Sequence, residues 1–155
     1  MQLSPHFTLE ELTFSEVGVR NRIENTPPQV AVENLRKLCL TLLEPARTLL
    51  GVPLHINSGY RSSKLNAVVG GSHSSAHLLG LAADFVPIGM DLRQAFDKLR
   101  AEPTLAFDQI IFECNAWIHL AVPANGITAR CQALTATGQP GAWTYQLVTD
   151  GVRNV

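Results

Sequence analysis

The chain is short of the features that would point to several common classes of protein. Its 155 residues carry a net charge of −1, and no run of Lys or Arg offers a basic surface to nucleic acid. Aromatic residues make up 6%, which leaves little stacking surface for sugars. No apolar run is long enough to span a bilayer. We therefore expect neither a nucleic-acid partner nor insertion into a membrane.

Cysteine is also sparse. Cys39, Cys114 and Cys131 are odd in number and widely spaced, and they form no CxxC pair. This pattern favours thiols buried in the core over a disulfide scaffold. The first residues include Glu10 and Glu16 but no basic start followed by an apolar block. We therefore expect synthesis in the cytoplasm without a signal peptide.

What the chain does contain suits one globular domain. A hydrophobic fraction of 46% with 16% charged residues is typical of folded proteins. A length of 155 residues fits a single domain over residues 1–155. No repeat or linker divides it, and no pattern in the sequence indicates whether it is monomeric or oligomeric.

The spacing of apolar residues and the capping signals predict where the helices and strands lie. Thr8 and Glu11 form a capping box that opens a short helix, and residues 17–29 are expected to be a loop. Apolar positions from Ala31 to Leu49 recur at helical spacing, with a kink predicted at Pro45. Further elements are predicted as a strand at 54–57, a helix at 61–69, a strand at 81–86, a helix at 91–101 and a hairpin of strands 108–113 and 117–122.

The order of these elements favours an α+β fold with a small antiparallel sheet flanked by helices. The region that carries the chemistry is residues 54–122. Residues 123–155 are rich in Ala, Thr and Gly in part, and are expected to form an edge strand or a tail of unclear role.

Two imidazoles and one carboxylate stand out in that region. His77 and Asp84 are separated by a segment with Gly80, which lets the chain turn so that both can approach one ion. His119 lies on a predicted strand that an antiparallel sheet can bring alongside. Two His and one Asp form a ligand set for a catalytic zinc that leaves a position open for water. For each residue taken alone, an ordinary structural role remains the alternative, since a lone His or Asp is more often a core, surface or capping group.

These residues belong to a longer pattern. Its parts are Ser58-Gly59-Tyr60-Arg61-Ser62, Asn66, Gly70-Gly71, the SxHxxGxAxD element from Ser75 to Asp84, and Trp117-Ile118-His119. Over residues 5–122 the chain resembles the M15 family of zinc peptidases, which includes D-alanyl-D-alanine carboxypeptidases and phage L-alanyl-D-glutamate endopeptidases. The resemblance implies a hedgehog/D-Ala-D-Ala peptidase-like fold and one zinc ion per chain, held by His77, Asp84 and His119.

The same resemblance implies roles around the metal. Arg61 matches the family arginine that binds the substrate carbonyl or its developing oxyanion, for which a guanidinium is well suited. Ser75, Tyr60 and Trp117 are expected to support the site or to contact substrate. Without the resemblance, Arg61 would be interpreted as a solvated surface residue after a turn.

The general base is the point at which the chain departs from the family. Members often carry Glu or Asp three places before the last His, where this chain has Ala116. The nearest carboxylate is Glu113. If residues 114–116 form a three-residue loop, Glu113 faces Trp117 across the hairpin and shares a face with His119. A two- or four-residue loop would reverse that parity and turn Glu113 away.

The sequence therefore predicts a zinc peptidase acting on peptidoglycan, resembling phage or prophage lysis enzymes. Such an enzyme would reach the wall after release from the cell or as part of a virion. Two rivals from other classes remain open. One is a phage structural or wall-binding module that keeps the zinc fold with little or no turnover, and the other is a metal-free wall-binding domain.

Overall fold

A computed structural model describes residues 1–149 of the chain. It has six α-helices and eight strands among those residues. The helices are α1 (Leu9–Thr13), α2 (Glu16–Arg20), α3 (Gln29–Leu38), α4 (Glu44–Leu50), α5 (Ser63–Val68) and α6 (Leu92–Ala101). The strands are β1 (Gln2–Ser4), β2 (Phe7–Thr8), β3 (Leu54–Ser58), β4 (Ala82–Pro87), β5 (Gln109–Glu113), β6 (Trp117–Ala121), β7 (Gln132–Gln139) and β8 (Ala142–Leu147).

The strands form two sheets. β1 and β2 make a small antiparallel pair, and the others form a six-stranded sheet in the order β3-β4-β6-β5-β7-β8. Every neighbouring pair in the large sheet is antiparallel except β5 and β7, which run parallel. The predicted α+β class is confirmed. The predicted small antiparallel sheet corresponds to β3, β4, β6 and β5, which are part of a larger mixed sheet.

One face of this sheet packs against the hydrophobic core, and the other carries the polar cluster. Phe85 pairs with Ile118 across β4 and β6, and both side chains are completely buried. α6 packs against β4, β5 and β6, with Phe96 buried in the same core. Because side chains alternate along a strand, Asp84 and His119 point to the face opposite Phe85 and Ile118. The core thus supports the sheet from one side and leaves its other side for the polar cluster.

The first half of the chain covers the core with helices. Thr8 caps α1 by accepting a hydrogen bond from the Glu11 N–H at 3.2 Å, as the capping box predicts. The expectation of a loop over 17–29 is wrong in its first part, because α2 forms there. Ser15 caps that helix by accepting from the Gly18 N–H at 3.1 Å.

The predicted kink at Pro45 takes the form of a π-helical turn over Cys39–Leu43, between α3 and α4. Proline cannot donate a backbone hydrogen bond, and a wider turn before it accommodates its ring. The turn also shifts the helical phase. Leu49, predicted to face the core, is 38% exposed, while Leu50 is buried instead.

One further expectation needs correction. Cys39 lies in the core, where burial raises the pKa of its thiol to about 12. Cys114 and Cys131 are only partly buried, so the expectation of three buried thiols is wrong for two of them.

The 123–149 part of the C-terminal extension contains the β7–β8 hairpin, and residues 150–155 lie outside the described residues. Among residues 1–149, no helix combines the length and the apolar character that crossing a bilayer requires.

Candidate metal centre

Three elements bring the predicted ligands together. His77 belongs to a 3₁₀ turn, Ala76–Leu79, that leads into β4. Asp84 lies on β4, directly across from His119 on β6. All three side chains are buried, with exposed fractions of 2%, 3% and 8% for His77, Asp84 and His119. The approach of Asp84 to His119 follows from the sheet register, as the antiparallel arrangement predicted, and the 3₁₀ turn brings His77 to them.

The ligand atoms have the spacing of a metal site. Asp84 Oδ1 lies 3.1 Å from His77 Nε2 and 2.8 Å from His119 Nδ1, and the two nitrogens are 3.2 Å apart. In a tetrahedral zinc site the ligand atoms lie about 2.0–2.1 Å from the metal, and hence about 3.3 Å from one another. Two imidazoles and a carboxylate are also the donor types that zinc takes in catalytic sites. The residues present therefore fit a zinc ion.

The local backbone fixes the orientation of His77. Its Nδ1 lies 2.6 Å from the carbonyl oxygen of Gly59, which can only accept a hydrogen bond. Nδ1 must carry the proton, so Nε2 presents its lone pair to the metal position. Gly59 itself has no room for a side chain, because a Cβ there would lie 2.2 Å from the carbonyl oxygen of Leu12. Sequence reasoning missed this carbonyl, since no residue type marks a backbone acceptor.

Gly80 and Ser75 shape the turn that carries His77. Gly80 adopts a φ of +69°, and a Cβ there would lie 2.6 Å from the backbone oxygen of Ala31. Only glycine suits both that conformation and that close approach. Ser75 caps the 3₁₀ turn by accepting a hydrogen bond from the His77 N–H at 3.3 Å. Both residues hold the backbone of the first ligand in place.

Arg61 lies beside the cluster. Its Nη2 donates to Asp84 Oδ2 at 2.8 Å, and its Nε donates to Ser58 Oγ at 2.9 Å. The guanidinium thus holds the carboxylate oxygen that does not face the two imidazoles. This contact with Asp84 is an addition to the substrate role expected from the sequence. The role of Arg61 towards substrate stays a prediction.

The charges of the cluster are strongly coupled. Burial opposes ionisation of Asp84, yet the neighbouring His77 and the hydrogen bond from His119 hold its pKa well below the usual range. Burial lowers the pKa of His77 despite the nearby Asp84 charge. Burial also opposes protonation of His119, but the hydrogen bond that His119 donates to Asp84 and the negative charge of Asp84 raise the pKa of His119 overall. Asp84 is therefore anionic and His77 neutral at pH 7, which are the states that a metal ion requires.

Glu113 lies next to the cluster, on the same face of the sheet. It pairs with Trp117 across the hairpin, so the predicted register and the three-residue connection are confirmed. Cys114 and Asn115 adopt positive φ values of 50° and 54°, and Ala116 is the additional residue before β6. The extra residue keeps the parity that points Glu113 and His119 to one side.

The Glu113 carboxylate is held and electrostatically perturbed. Trp117 donates from its indole Nε1 to Glu113 Oε2 at 3.0 Å. Burial raises the pKa of Glu113, and the negative charge of Asp84 raises it further. A carboxylate with a raised pKa beside a metal position has the properties of a proton-transfer group. Whether Glu113 acts as the base stays a prediction.

The side chain of Tyr60 points into the hydrophobic core and not towards the metal position. Its side chain is 8% exposed and belongs to the hydrophobic core, and its N–H donates to the backbone oxygen of Leu12 at 2.8 Å. This placement suits a supporting role for Tyr60 between Gly59 and Arg61. It does not offer the ring to a substrate.

The fold and the site together define a class of protein: a small α+β domain with a buried His/Asp/His cluster, on one face of its sheet, that could hold a metal ion. The family model described as Peptidase M15 matches residues 5–121 of the chain. The chain belongs to the Peptidase M15 family, and it is accordingly a zinc peptidase in general class. No curated protein matches the chain significantly.

Proposed function

We propose that the protein hydrolyses a peptide bond in the stem peptides of bacterial peptidoglycan, as a lysis-related enzyme of a phage or prophage. The observation that carries the peptidase part is the convergence of His77, Asp84 and His119 beside the Glu113 carboxylate. The peptidoglycan part is supported by the resemblance to carboxypeptidases and endopeptidases that cut such peptides. The protein would act on the cell wall after release or as a virion component.

His77 Nε2, His119 Nδ1 and Asp84 Oδ1 would hold the zinc ion. When bound, the ion supplies Lewis-acid chemistry, which polarises the scissile carbonyl and makes a water molecule acidic. Arg61 and the Gly59 carbonyl keep two of the ligands in their binding orientation. This support matters because ligands that are held in place by neighbouring groups bind metal more tightly.

Glu113 would transfer the proton. Its Oε2 is held by Trp117, which leaves Oε1 to take a proton from the attacking water and to return it to the leaving amine. Burial and the Asp84 charge raise its pKa, which makes it a stronger base than an exposed glutamate. Glu113 would thereby replace the acidic residue that family members often carry at the position of Ala116.

Arg61 would stabilise the oxyanion. Its Nε and Nη2 are engaged by Ser58 and Asp84, which fixes the plane of the guanidinium. Within residues 1–149, its Nη1 has no hydrogen-bond partner. A fixed cation with a donor to spare can bind a developing negative charge without reorganisation.

The test is mass spectrometry of fragments released from purified sacculi by the zinc-loaded protein. Release of D-alanine or of stem peptides supports the proposal and identifies the bond. The zinc-loaded Glu113→Gln variant is the control for contaminating hydrolases. Absence of any released fragment from the zinc-loaded wild-type protein would contradict the proposal.

A second candidate is a phage structural or wall-binding module with little or no turnover. Ala116 favours it, because this exposed turn residue carries no acid where family members often have one. Such a module would bind sacculi with its zinc in place and release nothing. The sacculus experiment therefore separates the two candidates directly.

A further inference from the structure

The β7–β8 hairpin extends the metal-bearing face of the sheet. Glu113 on β5 pairs with Ala136 on β7, and Ala136 pairs with Tyr145 on β8. Directly paired residues share a face, so one row of side chains runs from Trp117 through Glu113 and Ala136 to Tyr145. Tyr145 therefore lies on the face that carries the metal ligands. It also lies beyond residue 121, where the family match ends.

A second row runs beside the first, and it is apolar. It leads from His119 through Ile111 and Leu134 to Leu147. Ile111 is 5% exposed, whereas Leu147 at the sheet edge is 60% exposed. The two rows form a surface that starts at the metal centre and ends at the edge strand. Its outer end offers an apolar side chain and a phenol.

The hydroxyl of Tyr145 is available as a donor. Within the described part of the chain it makes no hydrogen bond, and the side chain is 50% exposed. Burial raises the pKa of the phenol, and the negative charges of Glu113 and Asp84 raise it further. The phenol therefore stays protonated at neutral pH. Ala136, between Glu113 and Tyr145, is small and 1% exposed.

The β7–β8 hairpin is held in place by a contact at its tip and by a hydrogen bond to the middle of β7. A Cβ on Gly70 would lie 3.0 Å from Pro140 Cβ, so the tip packs against the loop that leads to His77. The Cys114 N–H donates to the backbone oxygen of Ala136 at 2.8 Å. These contacts fix β8 relative to the metal centre, and they make Tyr145 part of one preformed surface.

Strand geometry sets how far Tyr145 lies from the reaction. Three strand spacings separate β6 from β8, or about 14 Å between backbones. An extended peptide covers that distance in about four residues, because side chains stand roughly perpendicular to the sheet and do not shorten it. Tyr145 is thus too far away to touch the scissile bond and close enough to touch the peptide that flanks it.

We propose that Tyr145 is a specificity-determining residue, whose hydroxyl donates a hydrogen bond to a carbonyl or carboxylate oxygen of the substrate about four residues from the scissile bond. Leu147 and Leu134 support the intervening part of the peptide. This inference rests on the proposed peptidase function. It adds a binding subsite from the C-terminal hairpin to the metal centre.

The test uses Tyr145→Phe, which removes only the hydroxyl, and two classes of probe. One is a complete stem pentapeptide, and the other is a dipeptide with only the two residues of the scissile bond. With the pentapeptide, kcat/KM should fall roughly 3- to 12-fold, as expected for one lost hydrogen bond, mainly through KM. With the dipeptide it should not change. Binding of the pentapeptide to a zinc-loaded Glu113→Gln background should weaken by the same factor.

Thr144→Val is the matched control, because Thr144 lies on the same strand with its exposed side chain on the opposite face. Thr144→Val should leave kcat/KM unchanged for both the pentapeptide and the dipeptide. Unchanged pentapeptide kinetics in Tyr145→Phe would overturn the subsite while leaving the peptidase function intact. An equal loss on the dipeptide would also overturn it, since that places the effect at the reacting bond. A wild-type protein that neither cleaves nor binds the pentapeptide would overturn both proposals.

Discussion

Glu113→Gln separates proton transfer from metal binding. Gln keeps the shape of the side chain, and its amide oxygen can still accept the hydrogen bond from Trp117 Nε1, now at 3.0 Å. Glu113 is not one of the three ligands, so zinc content should stay equal to that of the wild type. Loss of a general base lowers turnover by roughly 10²–10⁴-fold. That factor corresponds to about 3–5 kcal/mol of transition-state stabilisation.

The same change should not weaken the fold. Burial and the Asp84 charge raise the pKa of Glu113, so the folded metal-free protein holds this proton more tightly than the unfolded chain does. As pH rises above about 4.3, the unfolded value, the ionised Glu113 therefore reduces stability. Gln cannot ionise. The metal-free variant should be at least as stable as the wild type at pH 7, and the difference should vanish in acid below that value.

Three measurements check this prediction: zinc content, hydrolysis of purified peptidoglycan, and urea denaturation of the metal-free protein across this pH range. Glu33→Gln, on the exposed side of α3, is the matched control and should change none of them. Wild-type hydrolysis by Glu113→Gln would refute the assignment of the base. A variant that loses its zinc would instead show that Glu113 supports the metal site.

Three further predictions concern the metal centre. The protein should bind about one zinc per chain, and His77→Ala or His119→Ala should remove it, with occupancy of the wild type falling in acid as both imidazoles become protonated. Arg61→Lys should keep the zinc but lower turnover roughly 10²-fold, because an ammonium cannot replace the guanidinium fork. Gly80→Ala should lower the free energy of unfolding by about 2 kcal/mol or more, since its Cβ meets the Ala31 oxygen at 2.6 Å in a left-handed conformation.

Metal analysis, steady-state kinetics and urea denaturation measure these three outcomes. Stoichiometric zinc in both histidine variants would exclude the ligand assignment. Wild-type turnover in Arg61→Lys would return Arg61 to a purely structural role beside Asp84. Gly89→Ala is the control for Gly80, because its φ is +79° but nothing lies within 4 Å of the added Cβ. Equal losses in the two glycine variants would show that conformation alone, without the contact, limits Gly80.

Much of this site could be predicted from the sequence because its information is local or periodic. The capping of α1 and the amphipathic course of α3 depend on residues within one or two turns. The Glu113–Trp117 pairing follows from loop length and strand parity, since the alternation of side chains propagates along the hairpin. The residue types His and Asp at family spacing were enough to predict the three residues that the fold brings together as candidate ligands.

Only the tertiary structure decided the rest, because those contacts join residues that are distant in the chain and carry no distinctive pattern. The Gly59 carbonyl that orients His77 is a backbone atom, which no residue type reveals. The π-helical turn that exposes Leu49 depends on how Pro45 is accommodated within the packed helix. The parallel pairing of β7 with β5 places Tyr145 on the metal face, although its sequence indicates only an edge strand or tail. The choice of candidate ligands thus follows from the sequence itself, while the shape and extent of the surface around them depend on long-range packing.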